Sequence, residues 1–319
     1  MLLSMTKKTF VIFDSTSYAK SNCFIHQLRK SILQLNADIK FLSWSHIRTI
    51  PAKQIQKFLI NNAKHIVLIL KQRTVFSDFD RIHDLFRDQL ITVYDQDPWN
   101  AYWDDYSTKG IYSLISENLN VSKLAVPSLF WRNYIAQRES LKVVFVRMGM
   151  LPEYSQVGTE YNHRDHEIEF VGSLHEHRLD IFRRLADLDV EVVVKSGTLS
   201  YPKYLNYLSN LRIFLHDESA PLICEGVEIP RSNGMWHKDI ESASRGCFVI
   251  RDSNFESEAY DISDIPTIYT YQSISEVPSI LKEIRSIGVA EREELRKIAV
   301  ERIRTRNDWK HTASALLQT

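Results

Sequence analysis

The sequence predicts an α/β protein built from two doubly wound, Rossmann-like domains facing across a cleft, and three observations predict it. Short runs of Val, Ile and Leu alternate with amphipathic stretches along the chain, which is the pattern of a parallel sheet covered on both faces. The alternation lapses once, over "GMLPEYSQVGTEYNHRDHE" (149–167), and then restarts. At 319 residues the chain also exceeds what one ordinary core supports, so two domains of about 150 residues are expected.

The first half opens with the apolar strand "TFVIFD", which stops at Asp14, followed by a helical period in "SYAKSNCFIHQLRKSILQL". Strand "DIKFLSW", helix "AKQIQKFLINN", strand "HIVLIL", helix "FDRIHDLFRDQ" and strand "LITVYD" continue the series. The apolar stretches "YSLISENL" and "KLAVPS", helix "WRNYIAQR" and strand "LKVVFVRM" complete it. The second half runs strand "IEFVG", helix "RLDIFRRLADL", strand "VEVVVKSG", helix "YPKYLNYLSN" and strand "LRIFLH". A helix within "RSNGMWHKDIESASRGCFVIRD", strands "CFVI" and "IPTIYT", a helix over 275–286 and a helical tail follow. The expected division is a first domain over 1–150, a linker over 151–166, a second domain over 167–300 and a C-terminal helix over 301–319 that crosses back to the first domain.

Composition is that of an ordinary soluble globule, and 40 basic side chains balance 40 acidic ones. Nothing in the net charge points to a nucleic-acid or anionic-membrane partner. Cys23, Cys224 and Cys247 are too few and too scattered for a disulfide framework or a zinc site, which fits a reducing cytosol. No apolar run is long enough to span a membrane, and "MLLSMTKK" is too short for a signal segment. The expectation is a cytoplasmic protein, with peripheral membrane contact left open.

In open parallel sheets ligands bind outside the carboxyl ends of the strands, so the loops after strands hold the chemistry. In "FVGSLHEHR" a strand ends at Gly172, Ser173 follows, and Arg178 stands at the head of a helix, a layout suited to an anion. Lys195 ends the strand of "VVVKSG" and can either project into the cleft or sit in solvent. In "RSNGMWHKDIESASRGCFVIRD" a cap at Ser232 or Asn233 and a stop at Gly246 leave first-turn N–H groups free to receive a phosphate. Glu241, two turns in, would be repelled by a diphosphate, so it either accepts two hydrogen bonds from a ribose diol or is an ordinary solvent-facing helix glutamate. In "YDQDPWNAYWDD" Asp95 and Asp97 lie among Trp99, Tyr102 and Trp103, either a sugar-binding surface or a turn over buried aromatics.

Together these features resemble GT-B-fold glycosyltransferases, and among them the CgeB-like, spore-maturation-type branch, whose second half carries an "R…fEa…G.fvl" signature. Here it reads Arg231, then Asp239, Ile240, Glu241, Ser242, Ala243, Gly246 and "CFVI". The resemblance covers residues 165–318 and is architectural over the first half. It implies transfer of a sugar from a nucleoside-diphosphate sugar to a hydroxyl acceptor such as a saccharide. Glu241 would then bind the ribose, Gly234 and the backbone after it the diphosphate, and Arg178, Lys195 and Arg231 its charge. The first of two family glutamates falls on Asn233 and a common arginine falls on Ser173, so both stereochemical outcomes stay open. An inverting enzyme needs a base from the first half: Asp14 leads, Asp95 and Asp97 follow, and His163 or His166 could also reach. No metal and no resident cofactor are expected, the nucleotide sugar being a co-substrate. A sugar-nucleotide 2-epimerase and a non-catalytic nucleotide-sugar-binding protein are the competing readings.

Overall fold

The structure is a computed structural model. It describes residues 8–13, 23–35, 38–172, 176–195, 199–230, 237–253, 260 and 262–318. The chain divides into two compact units: residues 1–147, 222–229 and 310–319 form unit 1, and residues 148–221 and 230–309 form unit 2.

Unit 1 contains a six-stranded, wholly parallel sheet in the order β2-β1-β3-β4-β5-β6. Its strands are β1 (Lys8–Phe13), β2 (Ile39–Ser43), β3 (Ala63–Ile69), β4 (Ile91–Tyr94), β5 (Val121–Val126) and β6 (Val143–Phe145). The crossovers carry α1 (Cys23–Leu35), α2 (Trp44–Thr49), α3 (Ala52–Asn62), α4 (Gln72–Ser77), α5 (Phe79–Phe86), α6 (Ile111–Asn118) and α7 (Leu129–Ala136). Strands β1 and β3 are buried over most of their length, as central strands with helices on both faces must be.

Unit 2 repeats the design with five parallel strands in the order β13-β12-β9-β7-β8. They are β7 (His166–Val171), β8 (Val193–Lys195), β9 (Leu211–His216), β12 (Phe248–Asp252) and β13 (Ile268–Tyr271). Around them lie α8 (Glu176–Ala186), α9 (Tyr201–Ser209), α10 (His237–Ser244), α11 (Val277–Ser286) and α12 (Val289–Arg306), and α13 (Trp309–Leu317) closes the chain. Its core joins Ile168, Ile213, Leu215, Phe248 and Ile250 of the sheet to Ile181, Leu185, Leu281 and Ile284 of the helices. In each unit the second strand in sequence flanks the first and the third lies on its other side, so the connection reverses direction there. The crevice at that reversal, outside the carboxyl ends of β1 and β3 and of β7 and β9, is where doubly wound sheets take ligands.

Three parts of the chain differ from expectation. Residues 151–166, expected as a linker, belong to unit 2. Arginines hold them there: buried Arg164 donates to the carbonyls of Thr159 (2.8 Å), Arg245 (2.8 Å) and Leu211, and Arg296 to those of Thr159 (2.7 Å) and Gly246 (2.8 Å). A guanidinium satisfies several carbonyls at once, which lets irregular backbone be buried. The second difference is a hairpin, β10 (Pro221–Cys224) and β11 (Val227–Pro230), most of which lies in unit 1 although unit 2 sequence flanks it on both sides. Glu225 (φ 54°) and Gly226 (φ 76°) make its two-residue turn. Asp104 accepts from the N–H groups of both, and Arg138 pairs with Glu225 at 2.9 Å. The third concerns the tail: only residues 310–319 of the closing helical stretch lie in unit 1, where Lys123 of β5 donates to the carbonyls of Ala315 (2.6 Å) and Gln318.

Candidate active site

The site is built at the carboxyl end of the unit 2 sheet. Strand β7 ends at Val171, and Gly172 follows with φ +155°. The ammonium of Lys238, reaching across from α10, donates to the Val171 carbonyl at 2.9 Å and lies 5.1 Å from the Phe170 ring. A Cβ on Gly172 would stand 2.2 Å from that Nζ, so the glycine leaves the room the ammonium occupies.

Strand β9 ends in "HDES", and its polar residues form one network with α8, α10 and β12. His216 is buried, with Nδ1 2.7 Å from Asp239 and Nε2 3.2 Å from Glu218. Burial pulls the His216 pKa down against the opposing pull of Asp239. Arg178 pairs with Glu218 and lies over the Phe170 ring, while Arg251 pairs with Asp239 at 2.5 Å. Asp217 accepts from Tyr271, from Ser219 Oγ (2.7 Å) and from the Ser219 N–H (2.9 Å), and His177 Nε2 lies 3.3 Å away. Asp252 accepts from the Glu218 N–H at 3.0 Å; burial, with Asp217 beside it, raises its carboxyl to about 6. Four carboxylates thus share two guanidinium groups.

Helix α10 is buried on every side but that of Lys238, since its neighbours include α12 and β12. It ends as the sequence predicts. Gly246 (φ 72°) donates to the Ala243 carbonyl at 2.9 Å and the Cys247 N–H to that of Ser242 at 3.1 Å, the paired bonds of a Schellman stop. Glu241, 1% exposed, lies one turn on from Lys238. Its Oε1 lies 3.3 Å from His237 Nδ1 without hydrogen-bond geometry, and finds no hydrogen-bond partner among the described residues. His237 Nε2 donates to the Gly149 carbonyl at 3.0 Å and its ring packs near Trp309.

Of the unit 2 residues singled out from sequence, Gly172 lines this edge, Glu241 is buried on α10 and Arg178 is 7% exposed with its charge committed to Glu218. Lys195 is exposed, its Nζ 5.9 Å from the Tyr207 ring, and takes no part in the network. Ser173, Arg231, Asn233, Gly234 and Asp14 lie outside the described residues. Sequence reading missed Lys238, His216, Asp217, Glu218 and Asp252. The signal was present in "LRIFLHDES", where two acids follow directly on an apolar strand.

In unit 1 the aromatic and acidic segment turns inward. Asp95 is 2% exposed and accepts from Gln72 Nε2 (2.5 Å), Tyr112 Oη (2.7 Å) and the Asp97 N–H (3.0 Å). Buried and already accepting three hydrogen bonds, Asp95 reads as a structural carboxylate rather than a base open to an acceptor; burial raises its pKa. Trp99 and Tyr102 are core residues; Tyr102 stacks on Trp131 and donates to Glu139 at 2.9 Å, so neither offers a ring face to a sugar. Asp97 and Trp103 are partly exposed, Trp103 stacking on Tyr106. His163 lies 3.4 Å from Glu160, and His166 lies 2.8 Å from Glu169 and stacks on Tyr207. Among the described residues no cluster of three or more His, Cys, Asp or Glu is placed to hold a metal ion, and no helix is long and apolar enough to cross a membrane.

Two parallel, doubly wound units of this kind are the GT-B glycosyltransferase fold, and the chain has that fold. Particular structures bear this out over nearly the whole length. Anabaena HepE, solved with UDP and glucose, matches with a TM-score of 0.60 at 10% identity, covering 97% of this chain and 99% of its own. The sucrose-phosphate synthase of Thermosynechococcus elongatus matches at 0.62 with 10% identity, covering 97% of each chain. An α-glucosyltransferase in complex with UDP-glucose and DNA containing an abasic site matches at 0.61 with 8% identity, covering 98% and 99%. No protein-family model and no curated protein matches the sequence.

Proposed function

We propose that this chain is a glycosyltransferase that moves a sugar from a nucleoside-diphosphate sugar to a hydroxyl-bearing acceptor, a saccharide being the first class to test. The observation that carries the reading is Glu241, a buried carboxylate whose Oε1 lacks a hydrogen-bond donor among the described residues. Such an oxygen costs about 1–3 kcal/mol until something donates to it. Two adjacent hydroxyls do so, and a ribose diol supplies them with charge-assisted strength.

Lys238 donates to the carbonyl of Val171 at the end of β7, and it carries diphosphate charge in this scheme. Lys195 and the first-turn N–H groups of α10 assist, and Arg231 adds charge from its place just before that helix. Arg178 instead orients Glu218. As the glycosidic bond to the donor breaks, positive charge grows on the sugar ring and negative charge on the departing diphosphate; fixed cations stabilise the latter without reorganising. With cations in place we expect activity without a divalent metal, and a loss of turnover with EDTA would overturn that part. The segment from Arg231 to Ile250 supports membership of the CgeB-like branch. Of the acceptor-side candidates in unit 1, Asp97 and Trp103 are the partly exposed ones among the described residues, with Asp14 the third candidate.

HepE and the α-glucosyltransferase were solved with uridine nucleotides, so UDP and UDP-glucose are the first donors to test. Thermal-shift titration should raise the melting temperature with one nucleotide class, and Glu241→Ala should abolish the shift. A ligand at 100 times its dissociation constant stabilises by about 2.7 kcal/mol. No shift with uridine, guanosine, thymidine or cytidine nucleotides or their sugar conjugates would overturn the reading.

A further inference from the structure

The chain is charge-balanced overall, with 40 basic and 40 acidic side chains, but the balance is not local. Residues 39–77 hold seven lysines and arginines and no aspartate or glutamate. They build β2, an edge strand of the unit 1 sheet, together with α2, α3, β3 and α4. On this stretch an open groove of about 260 Å³ is lined chiefly by Leu42, His46, Ile47, Ile50, Ile55 and Phe58. Phe58 is 47% exposed and Ile50 38%, and Ile60 of the same helix is exposed as well. A folded chain in water seldom leaves an apolar groove and its large side chains open together without a use for them.

Cations flank the groove. Lys40 and Leu42, two residues apart on β2, share one face of the strand. Lys57 stands one turn beyond Gln54, another lining residue, and Lys53 one turn before Lys57. Lys40, Lys53 and Lys57 are exposed, and none forms an ion pair among the described residues. The nearest carboxylates in sequence are engaged: Asp38 pairs with Lys8 and Asp78 with Arg48. Helix α5, which packs on α3, adds Asp80 and Asp84, and Gln56 of α3 donates to the Asp84 carbonyl.

We propose that this face of unit 1 docks on an anionic lipid membrane, with Phe58 and Ile50 entering the boundary between headgroups and acyl chains and Lys40, Lys53 and Lys57 meeting the headgroup phosphates. An apolar strip edged by lysines is the combination such a boundary binds, since burial of the strip and attraction of the charges add. A nucleic acid would use the lysines and leave the groove and Phe58 unexplained. The inference is independent of the donor site, which lies in the other unit.

Flotation of the full chain with vesicles of phosphatidylcholine, alone or with about 30% phosphatidylglycerol, tests it. The chain should float with the anionic vesicles, and binding should weaken as salt is raised. Lys53→Gln/Lys57→Gln should lower partitioning on the order of 25-fold, each lysine near the surface being worth about fivefold. Ile50→Ser/Phe58→Ser should lower it too; circular-dichroism melts should show both variants folded at the assay temperature, the lysine variant matching the parent and the apolar variant melting somewhat below it because Phe58 also packs edge-on against Phe10. Absence of flotation, or flotation that both variants retain, would overturn the proposal. Binding to duplex DNA or RNA without binding to vesicles would overturn it as well and assign the face to nucleic acid.

Discussion

Replacing Glu241 with glutamine separates a binding carboxylate from a structural one. The substitution keeps the shape of a side chain that is 1% exposed and removes its charge. In the free protein Oε1 has no hydrogen-bond donor among the described residues, and on that geometry the parent bears a desolvation penalty of about 1–3 kcal/mol. Removing the charge relieves part of it, so unit 2 should melt at the same temperature or up to roughly 5 °C higher, at about 2–4 °C per kcal/mol for a chain of this size. Nucleotide binding should move the other way. Two hydrogen bonds from a ribose diol weaken from charge-assisted to neutral, a loss of about 1 kcal/mol each, so the dissociation constant for UDP should rise roughly 30-fold. Differential scanning fluorimetry of the free protein and calorimetric titration with UDP read the two effects separately. A melting temperature lowered by more than about 3 °C with unchanged UDP affinity would refute the reasoning and make Glu241 a partner of His237 and nothing more.

Four further outcomes are expected. The Asp252 carboxyl, raised from 3.8 to about 6, holds its proton in the folded state over a window where the unfolded chain has released it, so unit 2 loses stability as pH rises from 3.8 to 6. The loss is about 3 kcal/mol at most, and Asp252→Asn should flatten that part of the melting-temperature profile. Arg164→Met removes a charged donor from three buried carbonyls, of which Thr159 keeps Arg296 and Arg245 keeps the Gly158 N–H, and should lower the melting temperature by on the order of 10 °C in a calorimetric scan. Asp95→Asn should cost unit 1 about 1–3 kcal/mol, because an amide cannot accept from Gln72, Tyr112 and the Asp97 N–H together. Asp97→Asn, at the partly exposed base candidate of unit 1, should lower kcat about 100-fold in an assay with donor and acceptor, and an unchanged kcat would rule it out as the base.

The two sheets were legible because strand segments such as "FVIF" (10–13) and "IVLI" (66–69) are buried on both faces and so read as unbroken apolar runs. Gly246 was legible because a left-handed stop favours glycine. The hairpin at 221–230 was not. Its strands are four residues each, with exposed Ile223 and Val227 beside buried Leu222 and Cys224, so no single face stands out. Asp95 was misread for a related reason: the end of a strand fixes where a residue sits but not whether its side chain turns outward, and the partners that hold it inward, Gln72 and Tyr112, lie 23 and 17 residues away. Arg164 sat in a polar stretch that reads as solvated, and only the fold brings the carbonyls it satisfies together. Arg178 was expected to be free for an anion, and Glu218, 40 residues on, takes its charge. The balanced total charge hid an uneven one, since seven cations without a carboxylate over 39–77 vanish into a sum of zero.

Because unit 1 is assembled from residues 1–147, 222–229 and 310–319, its last piece leaves the ribosome only after all of unit 2. The usual order, in which an N-terminal domain folds while the rest is still being made, is therefore closed to it. Through most of synthesis β5 waits with the Lys123 ammonium facing no carbonyl of Ala315 or Gln318, and Asp104 has no hairpin turn to hold. A stalled or truncated translation product would thus expose the unfinished half of the molecule, and a nascent chain of this design has reason to lean on chaperones until its final helix arrives.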